Sequence, residues 1–400
     1  MTAEFRSGGE TFAKIKVIGV GGSGGAAVNR MVAAKIRGVD FIVVNTDVQA
    51  LHHNAAPMKF HIGKNTTRGL GAGMNPEVGR KAAEESQNEL RDLLKGADMI
   101  FITCGLGGGT GSGASPVVAK IARELGALTV AVVTKPFGFE GAQRKAVADQ
   151  ALKELSQNVD TIIIIPNDRL LQVIDQKTSL LQAFGLADEV LKNGVEGIAE
   201  LITVPGLINV DFADVKAIMS EAGTSLMGIG RKSGEHRAVE AAKMAIASPL
   251  LEIAIDGARG ILFTVAGGSN LTMFEVAAAA EEITKAADPN AKIIFGAIID
   301  ETLKDEVKIT VVATGFQAKA GQQLGGQRTI NTANNRMSEP ARAENRHESA
   351  PADEKVAFFK QLLRTEEKAK EPVAVAPAPK HIDPDGELEI PAFIRKKMGE

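Results

Sequence analysis

Along the first half of the chain, short unbroken apolar runs alternate with stretches whose apolar residues recur every three or four positions. The runs are 15–20 (IKVIGV), 40–46 (DFIVVNT), 97–103 (ADMIFIT), 128–134 (LTVAVVT) and 161–166 (TIIIIP). All are short, continuous and rich in β-branched residues, so each predicts a strand buried on both faces. The intervening stretches 75–94 and 141–157 carry helical periodicity. Strands alternating with helices predict an α/β fold with a doubly wound parallel sheet over 15–178. A long helical stretch from 179 to about 201 follows, inside a connecting segment 179–210. Over 211–316 the pattern changes. Partly alternating strands at 261–268, 291–300 and 306–316, with helical segments at 212–221, 236–247 and 271–287, predict a second, smaller α/β domain joined to the first by the long helix.

Both ends break the pattern. Residues 1–14 form a polar tail that lacks the apolar core of a signal peptide. Residues 317–386 are polar, mixed in charge and rich in Pro and Ala, so they cannot bury enough apolar surface to offset their ordering entropy. They are expected to be a disordered linker, and a coil of ~70 residues reaches on the order of 45 Å. The end of the chain, 387–400 (ELEIPAFIRKKMGE), turns apolar and basic again. A short apolar-basic segment on a flexible tether is expected to be a docking peptide.

Composition narrows the function. Net charge is −3, with neither Trp nor Tyr, so neither a basic surface nor a stacking platform for nucleic acid is expected. The one cysteine, Cys104, rules out an internal disulfide and fits a reducing compartment. Its place just before a glycine cluster, with no neighbouring histidine, reads as a buried small residue rather than a nucleophile. No apolar run is long enough to span a bilayer. The protein is therefore expected to be soluble and cytoplasmic.

Two glycine clusters carry the chemistry. Gly19-Val-Gly-Gly-Ser-Gly-Gly25 follows the first strand, and Gly105-Leu-Gly-Gly-Gly-Thr-Gly-Ser-Gly113 follows the third. Glycines let an anion approach a helix N-terminus without an intervening Cβ, and the unpaired N–H groups there hold it. One such loop suits a pyrophosphate, and Gly19-x-Gly21-x-x-Gly24 with Asp47 beyond the second strand fits a dinucleotide-binding dehydrogenase. Two loops converging on one ligand fit a more highly charged chain such as a triphosphate, with the Thr110 and Ser112 hydroxyls as added donors. The pattern G-x-x-x-x-G-K-[ST] is absent, so backbone amides must do most of the binding. Asp211 and Asp214, three apart at a predicted helix start, read by themselves as an N-cap followed by a first-turn acid. Glu140 and Arg144 read as an i, i+4 surface pair.

The block GGGTGSG resembles the signature loop of the tubulin/FtsZ family of GTPases. The stretches IGVGGSGGAAVNRM, VNTDVQAL, TRGLGAGMNPEVG, TKPFGFEG, IPNDRLL, AFGLADEVL, PGLINVDFADVKAIM and LMGIG extend the likeness over about 15–316, and it resumes at the C-terminal tip. The resemblance implies GTP or GDP bound with Mg²⁺. It places Gly22, Ser23, Gly24, Gly25 and Ala26 in the first phosphate loop, and Gly107, Gly108, Gly109, Thr110 and Gly111 in the second. Gly71, Ala72 and Gly73 match a loop that senses the γ-phosphate. Glu140 and Arg144 match ribose and phosphate contacts. Asn29, Asn167 and Asp188 match polar groups around the nucleoside, and Phe184 lies beside the base. A carboxylate at Asp188 suits guanine, whose N1–H and 2-amino group both donate.

The resemblance also implies that Asn209, Asp211 and Asp214 complete the site of the next molecule in a head-to-tail polymer and act on its attacking water. It implies a scaffold of bacterial cell division at mid-cell, whose segment 389–397 docks on membrane-anchoring and regulatory division proteins. Two other readings stay open on the residues alone: the dinucleotide-dependent dehydrogenase, and a tubulin-like protein with another task.

Overall fold

The computed structural model describes residues 13–171, 178–204, 206–248 and 257–316. The expected linker and docking peptide, and the expected tail apart from residues 13 and 14, lie outside the described residues.

Ten strands form the frame. They are β1 (Ile15–Val20), β2 (Val39–Asn45), β3 (Met58–His61), β4 (Met99–Gly105), β5 (Leu128–Lys135), β6 (Thr161–Pro166), β7 (Gly223–Ser233), β8 (Gly260–Gly267), β9 (Lys292–Ile299) and β10 (Glu306–Thr314). Their order is β3-β2-β1-β4-β5-β6-β7-β10-β8-β9. β1 to β6 are all parallel, and the order reverses direction between β1 and β4. In open α/β sheets the ligand crevice lies at that switch point, beyond the carboxyl ends of the strands. The core of this part is aliphatic, with Ile18, Ile42, Ile100, Ile102, Val118 and Ala131 sealed from solvent.

Two strands escape the apolar-run criterion. β3 is four residues long and only partly buried. β7 starts exposed, ends exposed, and is interrupted by Gly228 and Gly230. The predicted helix 75–94 is two helices, Pro76–Glu85 and Gln87–Leu94. Ser86 breaks them, and its Oγ accepts the Gly63 N–H at 3.2 Å, so a tertiary hydrogen bond holds a break that periodicity cannot see.

The 24-residue helix Leu180–Thr203 connects the two halves, and it starts on a capping box between Ser179 and Gln182. Its far end is pinned where Thr203 Oγ1 donates to Arg37 O at 3.3 Å, just before β2. The halves also meet edge to edge, through a short parallel pairing of β6 with the start of β7 (Thr161↔Gly223 to Ile163↔Ser225). From β7 onward the sheet is mixed, β10 lying antiparallel between β7 and β8.

A buried charge cluster joins the long helix to β10. Lys308 Nζ lies 3.1 Å from Glu196 Oε2 and 3.8 Å from Glu200 Oε2. Burial pushes Glu196 up, but the Lys308 and Lys192 ammonium groups outweigh it and hold the carboxyl below its ordinary range. At Glu200 burial wins and the carboxyl is raised.

Helix Arg237–Ile246 lies directly on β7 because the strand offers no side chains there. A Cβ at Gly228 would stand 1.8 Å from Ala245 O, and one at Gly230 1.9 Å from Ala241 O. Gly230→Ala is expected to lift that helix and destabilise the fold by about 2 kcal/mol, the usual cost of overpacking; equilibrium unfolding in denaturant measures it.

Candidate functional site

Two helices spring from the carboxyl ends of neighbouring parallel strands. Helix Gly21–Ala33 follows β1 at once, and helix Gly109–Glu124 follows β4. Neither has a side-chain cap or an acidic residue in its first turn. Their first N–H groups thus lack both the acceptor and the negative charge that helix starts usually recruit. The two positive ends stand side by side at the switch point, which is the arrangement that holds a polyanion.

The glycines divide into two classes. One class interlocks the loops. A Cβ at Gly24 would stand 2.4 Å from Thr103 O, one at Gly21 2.9 Å from Gly111 N, and one at Gly105 2.7 Å from the Ser23 side chain. The third loop joins this lock, since a Cβ at Gly109 would meet Ala72 Cβ and Asn75 N at 2.8 Å. The other class, Gly22, Gly73 and Gly108, has no neighbouring atom within 4 Å of a built Cβ. Packing does not explain these glycines, and they leave backbone open to a ligand. In the third loop Gly71 and Gly73 take positive φ, and so does Met74, at 61°.

Hydroxyls are shared differently from expectation. Thr110 Oγ1 lies 2.6 Å from Thr46 Oγ1 in a buried pair. Thr46 O also accepts the Gly71 N–H at 3.2 Å. Thr46, which sequence reasoning missed, therefore ties the second loop to the third. The buried Ser112 Oγ accepts the Gly107 N–H at 2.9 Å and braces the loop from within. Asp47, the ribose-binding candidate of the dehydrogenase reading, is instead a helix cap, Oδ1 accepting from Ala50 N at 3.1 Å.

Around the crevice the remaining candidates lie on five elements. Asn29 Oδ1 accepts the Ala55 N–H at 2.7 Å. Glu140 Oε2 accepts from Arg144 Nη1 at 2.7 Å, and Glu140 Oε1 accepts the Phe137 N–H at 2.9 Å. The surface-pair reading thus describes the contact they make with each other. Phe184, on the long helix, meets Phe137 edge-on at 5.4 Å, and Phe137 stacks on Phe139, which is 63 % exposed. Asn167, capping the end of β6, is buried and its Oδ1 has no hydrogen-bond partner. A buried unpaired acceptor is costly, and a nucleoside N–H or O–H would satisfy it. Asp188 is mostly buried and accepts from Arg30 Nε at 3.2 Å. Burial pushes its carboxyl up to about 6, against the pull of the Arg30 guanidinium. Open glycine backbone, uncapped helix starts and an orphaned acceptor together fit a nucleotide.

Cys104 sits at the base of the second loop as expected of a packing residue: it is fully buried, and burial pushes its thiol up to about 12. Among the described residues there is no group of three or more His, Cys, Asp or Glu side chains able to hold a metal ion. No helix among them is long and apolar enough to cross a membrane.

The acidic candidates lie elsewhere. Asp211 Oδ1 accepts from Ala213 N at 2.7 Å and Asp214 N at 3.3 Å, capping helix Phe212–Met219. Asn209 Oδ1 accepts the Gly206 N–H at 2.6 Å. This loop follows the end of the long helix that is pinned beside the start of β2. The glycine loops leave the opposite ends of the strands. From Asp188 to Thr203 the helix alone covers about 22 Å at its ~1.5 Å rise per residue. The chain does not bring its aspartates to its own crevice.

A model of the tubulin/FtsZ family's GTPase domain matches residues 14–175, and a model of the FtsZ family's C-terminal domain matches residues 223–317. The chain belongs to the tubulin/FtsZ family. It is accordingly a GTPase, and the dehydrogenase reading falls. An empty FtsZ dimer from M. jannaschii is 47% identical, with a TM-score of 0.75, over 80% of this chain and 96% of its own. A point mutant of M. jannaschii FtsZ is 49% identical, again with a TM-score of 0.75, over 77% of this chain and 93% of its own. CetZ2 from Haloferax volcanii, solved as a GTPγS-bound protofilament, is 23% identical with a TM-score of 0.66, over 77% of this chain and 94% of its own. At that identity CetZ2 shares the fold.

The two classes of glycine predict different outcomes. Gly108→Ala is expected to leave the melting temperature within about 2 °C while weakening guanine nucleotide binding about ten-fold or more. Gly24→Ala is expected to lower the melting temperature by several degrees, because its Cβ drives the first loop off β4. Thermal melts paired with calorimetric titration of GDP check both.

Proposed function

We propose that this GTPase is a filament-forming scaffold of bacterial cell division whose active site is completed only between two copies. The crevice binds one guanine nucleotide. The amides of Gly22 to Ala26 and Gly107 to Gly111 hold its phosphates, and Gly71 to Gly73 border the terminal one. Glu140 and Arg144 contact the ribose and phosphate, and Asn29 and Asn167 lie around the nucleoside. Phe184 packs on the base and Asp188 reads its N1–H and 2-amino edge. The described residues offer no cluster of acids to hold a metal by themselves, so Mg²⁺ would depend on the bound nucleotide for its ligands and would supply charge neutralisation on the transferred group.

The observation that carries this reading is the separation of acids from crevice along the long helix. Hydrolysis needs an oriented water, and neither glycine loop has a carboxylate to orient one. Asn209, Asp211 and Asp214 stand at the opposite end of the molecule, where they meet the crevice of a second copy stacked in the same orientation. Asp211 is occupied with capping, which holds the loop's shape, while Asp214 is exposed in the first turn of the helix. Such a head-to-tail contact is heterologous, and when its rotation does not close it propagates as an open filament. The M. jannaschii dimer and the H. volcanii protofilament support self-association in this fold. The apolar-basic tip 389–397, beyond the described residues, is the part proposed to dock on membrane-anchoring and regulatory division proteins, and so to place a cytoplasmic filament at mid-cell.

Turnover per molecule is expected to rise cooperatively with protein concentration, and Asp214→Ala is expected to bind GTP and assemble yet lose at least ~100-fold in turnover, a loss typical of a displaced water-orienting group. Phosphate release and light scattering across a concentration series decide it; full-speed hydrolysis by dilute monomer would sink the proposal. Deleting 389–400 is expected to keep GTPase activity and assembly while abolishing capture by a membrane-anchoring division protein in co-sedimentation. Collapse of GTPase activity on that deletion would contradict the role of a separate docking tip.

A further inference from the structure

Arg30 belongs to no phosphate-binding motif, yet the fold sets it against Asp188, 158 residues away in the chain. It projects from the last turn of helix Gly21–Ala33. Its Nε donates to Asp188 Oδ2 at 3.2 Å, with the Asp188 side chain only 18% exposed. The guanidinium has a built seat. Gly185, one turn before Asp188 on the long helix, is buried, and a Cβ there would stand 2.7 Å from Arg30 Nη2. Glycine is a poor residue for a helix interior, so its presence beneath the guanidinium calls for a reason.

We infer that Arg30 is the positioning residue for base recognition: seated over Gly185, it fixes one oxygen of Asp188 and supplies the charge that keeps this carboxylate an acceptor for guanine. The inference rests on the reading of Asp188 as the group that meets the base. Each carboxylate oxygen carries two lone pairs, so Oδ2 can keep the Arg30 bond while Oδ1 and the free lone pair face the ring. A protonated carboxyl would instead oppose an O–H to guanine's donors. Burial already pushes Asp188 up to about 6, and Arg30 is what pulls against it. The other charged groups on the packed elements do not take its place. Asp168 on the short helix after β6 accepts the Gly138 N–H at 2.7 Å. Lys192 lies 3.9 Å from Glu196. Arg169, Glu189 and, further along the long helix beside Lys308, Glu200 complete the set on these helices, and Arg30 is the charge that acts on Asp188.

The test compares affinities of the nucleotide-free full chain for GDP and IDP between pH 5 and 8.5. The two ligands differ only in the 2-amino group, so titration of their phosphates cancels in the ratio. In the unaltered protein the preference for GDP is expected to fall as pH drops through about 6. In Arg30→Met the midpoint is expected to move up by about one unit, leaving about five-fold less ionised carboxylate at pH 6 and little change above pH 8. Arg30→Lys should recover part of that shift. Gly185→Ala, which favours the helix and retains Arg30, should shift the midpoint in the same direction by unseating the guanidinium, and it carries the test if Arg30→Met fails to fold. Asp188→Asn should abolish the pH dependence. If Arg30→Met and Gly185→Ala both keep the original midpoint while Asp188→Asn flattens the profile, Arg30 has no such role although Asp188 still reads the base. If Asp188→Asn keeps both the preference and its pH dependence, Asp188 is not the reader and the inference falls with it.

Discussion

The constraint on which the structure depends is the contact between two glycine loops at the point where the strand order turns. β1 and β4 are neighbours and parallel, so the helices that follow them begin side by side with their positive ends together. Backbones can approach that closely only where side chains are absent, and the would-be contacts at Gly21, Gly24, Gly105 and Gly111 fall below 3.0 Å. The conformational cost of so many glycines is met by this lock. Once the loops are locked, the remaining glycines can stay open toward a ligand without the crevice collapsing.

The same lock explains how few charged side chains the crevice uses. The uncapped helix starts leave backbone amides as the open donors, Thr46 and Thr110 join the loops through a shared hydroxyl contact, and Ser112 braces one of them internally. Charge appears at the base end, where Asp188 and Arg30 face each other in a partly buried pair. Fixed dipoles and ionisable side chains are thereby divided in space, uncapped helix starts lying at one part of the crevice and a carboxylate pushed up by burial, against the pull of Arg30, at another.

The long helix sets the second distance. One end carries Phe184 and Asp188 beside the crevice, and the other, pinned near the start of β2, leads to Asn209, Asp211 and Asp214. The Lys308 cluster ties this helix to β10, so the helix acts as a spacer between the crevice and the loop that carries the acids.

Much of this was legible in the chain itself. Apolar runs marked β1, β2, β4, β5 and β6 because strands buried on both faces must be continuously apolar. The glycine clusters marked the two interlocked loops at the switch point because few other roles need so much bare backbone in one place. β7 was not legible, since its glycines serve a helix lying on it and its ends face solvent. The break at Ser86, the sharing of Thr46 with Thr110, and the pairing of Arg30 with Asp188 over Gly185 were equally hidden. Each joins residues far apart in the chain, and local periodicity carries no information about such partners. The sequence by itself determined the doubly buried strands, most of the helices and where bare backbone is needed. Tertiary structure alone decided which glycines pack and which stay open, and that the acids stand a helix length from the crevice, because both follow from what each backbone meets in space.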